Sequence, residues 1–240
     1  EASFTGLPTV TLTVGGRIDR WSITDGFLKE RVIATGAPLT DLAFPDRSGW
    51  RPTGRGGVAW RPVPTLTFRT AAYLGWRLPT LNELYRPFRA GTDATANNAL
   101  LKPERMKGAE IGMEWRPARA AHIGLTLFDN RLEDAIANVT LGAGPGTFPI
   151  VGFVAAGGAF RQRQNIDAIR ARGVELDASW SAGPWTLSGG WSWTDARVRA
   201  SGIAAPLDGL RPAQTPRQSA AATLAWHERR FRSSLTARYV

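Results

Sequence analysis

The chain has 240 residues, 43% hydrophobic and 21% charged, with no Cys and a formal net charge of +10. No window approaches the roughly 18 uncharged apolar residues of a membrane-crossing helix, and the lack of Cys excludes disulfides and thiolate metal sites within this segment. The basic excess is spread through strands and loops without a basic run, so it does not mark a nucleic-acid surface.

Period-2 alternation dominates. The chain opens strand-like, EASFTGLPTV, with no visible signal peptide. Residues 9–21 set Val10, Leu12, Val14, Gly16 and Ile18 against Thr9, Thr11, Thr13, Arg17 and Asp19. A long connection, 22–52, leads to a strand at 53–61 with Val58 and Trp60 on its apolar side. Pro62-Val63-Pro64 turns the chain, because neither proline can donate to a ladder. Residues 65–77 set Leu66, Phe68, Ala72, Leu74 and Trp76 against Thr67, Arg69, Tyr73 and Arg77. A second connection, 78–106, precedes 107–115, where Ala109, Ile111, Met113 and Trp115 oppose Glu110, Gly112 and Glu114. After the turn at Arg116–Arg119, residues 121–136 set Ile123, Leu125 and Leu127 against His122, Thr126, Phe128 and Asn130. The Gly-rich 137–167 predicts a third, mobile connection; it lacks the ending of a phosphate-binding loop. Strands at 168–180 and 185–198 flank the Gly183-Pro184 turn. A fourth connection, 199–216, leads to a last hairpin, 218–226 and 231–240.

That makes about nine strands, joined by turns that alternate short and long. A soluble sandwich has no reason to put short turns at one end and loops of twenty or thirty residues at the other. An outer-membrane barrel does. Trp60, Trp115, Trp180 and Trp226 each sit on the apolar face just before a short turn, and Trp185 just after one. In an up-and-down barrel they share one height, as an aromatic girdle at a membrane interface. The opposite faces carry Arg17, Arg61, Arg69, Arg77, Glu110, Glu114, Glu175 and Asp177, which suits a wet lumen with ion pairs between strands. The expected fold is all-β: an antiparallel up-and-down transmembrane barrel, with short periplasmic turns and long extracellular loops.

One stretch narrows this further. Residues 77–85 read RLPTLNELY, residues 101–104 LKPE, and residues 110–115 EIGMEW. These blocks, in this order, resemble the barrel domain of TonB-dependent outer-membrane receptors. Pro79, Leu81, Glu83, Leu84, Leu101, Pro103, Glu104, Glu110 and Gly112 match family positions. Asn130, Asp134, Gly173, Glu175 and Pro216 resemble later ones. All read as markers of the fold: Pro79 ends a strand, while Glu83 and Glu104 tie down the long loop. The lead-in to Leu101-Lys102 departs from the family pattern, with Asn98-Ala99-Leu100 before it.

The resemblance implies 22 strands around a plug, of which residues 1–240 are a partial barrel without plug or closing strands. It implies a Gram-negative outer-membrane location, among outer-membrane lipids. It also implies the receptor's own plug and the TonB complex as partners, and active uptake of a scarce ligand. A ferric siderophore or similar metal chelate leads the ligand classes. Tyr85, Arg86, Phe88 and Arg89, with Arg161 and Arg163, are the candidate ligand residues, because arginine beside aromatic rings suits an anionic chelate. Nothing points to catalysis, a resident metal or a cofactor: His122 and His227 lie far apart, in no metal-ligand spacing. A passive porin shares the girdle and alternation but predicts no plug upstream. A soluble sandwich binding polyanions predicts solubility without detergent.

Overall fold

The computed structural model describes residues 2–240, with side chains from residue 8 onward. The strands are β1 (Ala2–Leu7), β2 (Val10–Ile23), β3 (Phe27–Arg31), β4 (Pro38–Ala43), β5 (Arg47–Val63), β6 (Leu66–Arg77), β7 (Phe88–Ala90) and β8 (Asp93–Ala96). They continue with β9 (Glu104–Ala118), β10 (Ala121–Ala143), β11 (Gly146–Phe148), β12 (Gly152–Val154), β13 (Ala159–Ala182), β14 (Trp185–Arg199), β15 (Gln218–Glu228) and β16 (Phe231–Tyr239). One helical turn, α1 (Leu81–Tyr85), and a 3-10 segment (Gly202–Leu207) complete the chain.

The main sheet follows β1-β2-β5-β6-β9-β10-β13-β14-β15-β16, every neighbour antiparallel, with β7 and β8 attached beside β13. It is a barrel wall whose ends do not meet. Ten strands lie along this path, one more than the expected nine. Pro8 and Thr9 make a short turn, and β1 folds back so that Ser3 pairs with Thr13. The expected long connections are also more ordered than the sequence suggests. β10 and β13 run to 23 and 24 residues and stay paired out to Ala143 and Ala159. Residues 137–143 and 159–167 are therefore ladder, a correction to the mobile loop expected there. Their glycines and glutamines disguise the alternation, and a membrane crossing needs only about 9–11 residues of each strand. The rest of this hairpin projects beyond the others.

The sheet has one apolar face, and among the described residues nothing packs on it. Ile111, Trp115, Leu127, Leu176, Trp180, Leu187 and Leu224 lie on it and are all exposed. A layer of this kind in water has no partner for its hydrophobic face. Buried apolar side chains gather instead at the long-loop end. Ala135, Val139, Ile166, Val198 and Ala204 form one cluster, and Ala94, Ala96, Val154 and Phe160 another. The soluble sandwich therefore fails, because among the described residues no second sheet covers the apolar face.

The tryptophans follow a fixed stagger. Trp60 faces Phe68, and that rung continues through Met113, Leu125 and Leu176. Trp115, on the rung of Leu66 and Ile123, lies two residues nearer its own turn. Trp180, opposite Ala121 and Leu187, lies two further, and Trp226, opposite Trp185, two further again. A two-residue step per hairpin is the shear that strand tilt imposes on a closing sheet. In such a wall the five indoles keep one height.

The polar face is knitted by side chains that cross glycines. Arg69 lies over Gly112, where a Cβ would come within 2.8 Å of its Nε. From there its guanidinium reaches Glu114 at 2.8 Å and Thr126 at 3.3 Å. Tyr73 passes over Gly108 and donates to Asn130 at 2.8 Å. Phe128 covers Gly173, and Asp177 covers Gly124.

Candidate functional site

The loop from Leu78 to Pro103 is the most heavily bonded connection on the polar side. Arg77, the last residue of β6, faces Glu104, the first of β9. Its Nε donates to Glu104 at 2.6 Å, and its two terminal nitrogens donate to Glu83 at 2.8 and 3.1 Å. The other Glu104 oxygen accepts the Ile136 N–H at 2.7 Å. One arginine thus holds both strand ends and α1, and Glu104 carries the link to β10.

Local sequence explains α1. Pro79 ends the strand, and Thr80 begins the helix as its N-cap. The Thr80 hydroxyl accepts from the Glu83 N–H at 3.3 Å, and the Glu83 carboxylate accepts from the Thr80 N–H at 2.6 Å. This reciprocal capping box closes a turn too short to persist alone. Burial works to raise the Glu83 carboxyl, but hydrogen bonds from Arg77 and Thr80 outweigh it, and the group sits below the usual carboxylate range. Leu84 and Leu101 are fully buried beneath the loop, whereas Leu81 is exposed. Asn98 makes the altered lead-in work. Its side-chain oxygen accepts the Leu100 N–H at 3.0 Å and forms the turn that leads into Leu101.

The candidate ligand residues divide into groups. Arg163 donates to the carbonyls of Asn82 and Arg86 at 2.6 and 2.9 Å, and its guanidinium lies 5.1 Å from the Phe88 ring. Arg161 pairs with Asp93 at 2.7 Å. The Ala159 N–H and Arg161 hold the Asp93 carboxyl below its usual range. Arg89 donates to the carbonyls of Val151 and Phe153. Tyr85 stands apart, tilted against Phe44 at a centroid distance of 5.4 Å. The Arg86 side chain is exposed. Arg86, Phe88 and Arg163 therefore come together, while Tyr85 packs against the neighbouring 24–46 connection. Three of the four arginines tie loops to one another, and Arg86 is the one presented outward.

Among the fold markers, Pro79, Pro103, Glu104, Gly112 and Gly173 are buried. Glu110 and Glu175 face the polar side, on the rungs of Phe128 and Thr126 respectively. The sequence reading did not single out Thr80, Asn97 or Asn165. The capping-box spacing Thr80-x-x-Glu83 was the available signal for the first. Buried Asn97 donates to the Leu84 carbonyl at 2.7 Å. Asn165 accepts the Lys102 N–H at 2.8 Å and donates to the Asp134 carbonyl at 2.6 Å. Nothing local announces either role, because their partners lie up to 63 residues away.

The chain matches, over residues 1–240, the family described as TonB dependent receptor-like, beta-barrel. Among solved structures it is similar to the copper transporter OprC, with a TM-score of 0.72 and 20% identity over 98% of this chain and 33% of that one. It is similar to a double mutant of the Serratia marcescens hemophore receptor HasR, in complex with its hemophore HasA and heme. There the TM-score is 0.69, with 18% identity over 96% of this chain and 41% of that one. For the ferric-catecholate import receptor Fiu from K12 E. coli the values are 0.67 and 15%, over 99% and 33%. At these identities the likeness shows the fold, and this chain spans about a third to two fifths of each structure's length. No curated protein sequence matches the chain. With its whole length covered by the family model, the chain belongs to the TonB-dependent receptor-like β-barrel family.

Proposed function

We propose that this chain forms part of the barrel wall of an outer-membrane receptor for TonB-coupled uptake of a scarce ligand, most simply a ferric siderophore or a similar metal chelate. The observation that carries this reading is the two-sided wall. An uncovered apolar face with staggered tryptophans suits lipid, and the opposite face carries ion pairs suited to a wet lumen with a plug. Family membership supports coupling to TonB through a plug elsewhere in the receptor. The structures it resembles include a copper transporter and a ferric-catecholate import receptor, which supports a metal-chelate cargo. The girdle role belongs to Trp60, Trp115, Trp180, Trp185 and Trp226. Ligand contact falls to the loop end, where Arg86 and Phe88 are presented outward.

The test is uptake by the full-length receptor in cells with and without TonB, using labelled ferric siderophores. Uptake that requires TonB supports the reading. Uptake that persists without TonB points to a passive porin and overturns it.

A further inference from the structure

We infer that the upper part of β10 is a docking edge, to which an extended segment of a partner protein adds as a further antiparallel strand. This rests on the outer-membrane reading of the chain, which puts the long hairpin outside the cell. β9 begins at Glu104, and its last rung with β10 joins Arg105 to Glu133. β10 runs on to Ala143 and stays paired with β13 along its other edge. Among the described residues no strand takes the place of β9 beside residues 134–143.

Two bonds fix which way the backbone groups point there. The Ile136 N–H donates to the Glu104 carboxylate at 2.7 Å, on the β9 side. Opposite Asn138 on β13, the Arg163 carbonyl accepts from the Asn98 side chain at 2.9 Å and so points away from β10. Asn98 follows β8, which pairs along the far edge of β13. Backbone groups alternate between the two edges of a strand. The N–H and C=O groups of Asn138 and Thr140 therefore point to the open side, as the Ile136 N–H does. Both residues are exposed, and neither N–H has a partner on that side among the described residues.

These groups repeat every two residues, or about 7 Å. An extended backbone carries matching donors and acceptors at the same repeat, and a lipid or a small chelate does not. The strand that continues the ladder of β9 runs antiparallel to β10. A second copy in the same membrane stands the same way up and offers its β10 in the parallel sense, the weaker pairing. Val139 is buried, whereas Asn138 and Thr140, on the other face of β10, are exposed. The added strand therefore alternates apolar and polar residues. Lys102 lies at the foot of the edge, its N–H bonded to Asn165, the residue opposite Ile136. Its side chain is exposed and has no ion pair among the described residues, which favours an acidic residue at that end of the added strand.

The test uses the purified full-length receptor in uncharged detergent micelles. The probe is a short synthetic peptide of alternating valine and threonine with a glutamate at one end. Amide hydrogen exchange at Asn138 and Thr140 is expected to be fast in the receptor alone and to slow when the peptide is added, with Ile136 unchanged. The same peptide with adjacent central amides N-methylated, which blocks both of its edges, should not bind. Asn138→Pro deletes an outward donor and leaves the ladder with β13 intact. It should weaken binding roughly tenfold, about one hydrogen bond. Slow exchange at Asn138 and Thr140 in the receptor alone would show the edge already covered, and overturns the proposal without any variant. Equal binding of the N-methylated peptide or of a lysine-ended one overturns it too, as does a peptide that leaves exchange unchanged. An unaltered affinity in an Asn138→Pro receptor that keeps its heat-modifiable gel mobility overturns it as well. Protection that rises with receptor concentration, without peptide, would assign the edge to a second copy and remove the partner. TonB-independent uptake would refute the transport reading and leave this result standing.

Discussion

Arg77 and Glu104 close the last rung between β6 and β9, and the same guanidinium holds Glu83 on α1. The loop of some two dozen residues between the two strands is therefore clamped at both ends by one side chain. Arg77→Ala removes the clamp and leaves Glu104, 5% exposed, without its cation. Because the arginine itself is nearly half exposed, solvent screens part of the loss. We expect a local cost of about 1–3 kcal/mol. Amide hydrogen exchange should rise between residues 80 and 101 and stay unchanged in β13 to β15. Exchange that remains at wild-type levels in the loop would remove the clamp from the account.

The same loop should open in acid. The folded-state carboxyls of Glu83 and Asp93 are both depressed, so each stabilises the folded loop fully at pH values above its ordinary titration. That contribution fades as the pH falls below the ordinary carboxylate range of about 4 and through the depressed values. Limited pepsin digestion, compared with neutral digestion by a protease of similar breadth, should show cleavage appearing within residues 78–106 in acid. Glu83→Gln should make the loop equally open at neutral pH and remove most of the acid dependence. A loop that is equally protected at both pH values would show that these pairs are not what holds it.

Much of this architecture was legible in the sequence, and the reason is periodicity. Every strand in the membrane zone alternates, because one face meets hydrocarbon and the other water, and Leu176 beside Glu175 records that choice directly. The motif residues Glu83 and Glu104 were legible as loop ties. What remained hidden was long-range. Gln162 and Gln164 carry no period, so the upper half of β13 reads as a loop from sequence alone. Arg161 and Arg163 resembled ligand residues by type, yet their partners, Asp93 and the carbonyls of Asn82 and Arg86, lie 68 to 81 residues away. Residue type shows what an arginine can bind, and only the fold shows what it meets first.

The glycines of the polar face provide a graded test of packing. At Gly112 an added Cβ meets the Arg69 side chain, which can swing aside at the expense of its bond to Glu114. At Gly173 it meets the Trp193 carbonyl and the Phe128 ring, and the backbone cannot yield as easily. Gly112→Ala should cost about 1 kcal/mol, roughly one hydrogen bond. Gly173→Ala should cost about 1–3 kcal/mol, the usual range for overpacking. Urea-induced unfolding of the full-length receptor in lipid vesicles would rank the two. The opposite order would mean that the Arg69–Glu114 bond matters more than ladder geometry.

The assignment of faces can be tested by charge alone. Ile111 and Thr126 lie on adjacent strands near mid-span, but Ile111 is on the uncovered apolar face and Thr126 on the polar face beside Arg69. If the apolar face meets hydrocarbon, Ile111→Arg buries a cation in the bilayer at about 2–4 kcal/mol. Thr126→Arg adds a hydrated cation to a wet lumen that already contains Glu110, Glu114 and Glu175, and its main effect is repulsion from Arg69. Folding into vesicles, followed by the gel shift of heat-modifiable barrels, should show Ile111→Arg far more impaired than Thr126→Arg. Lys107→Gln, on the same face but beside Glu133, its partner at 2.9 Å, should be far less impaired than Ile111→Arg. Equal impairment at Ile111 and Thr126 would mean that the sheet is not exposed to lipid on one side and water on the other, and the barrel reading of the chain would fail with it.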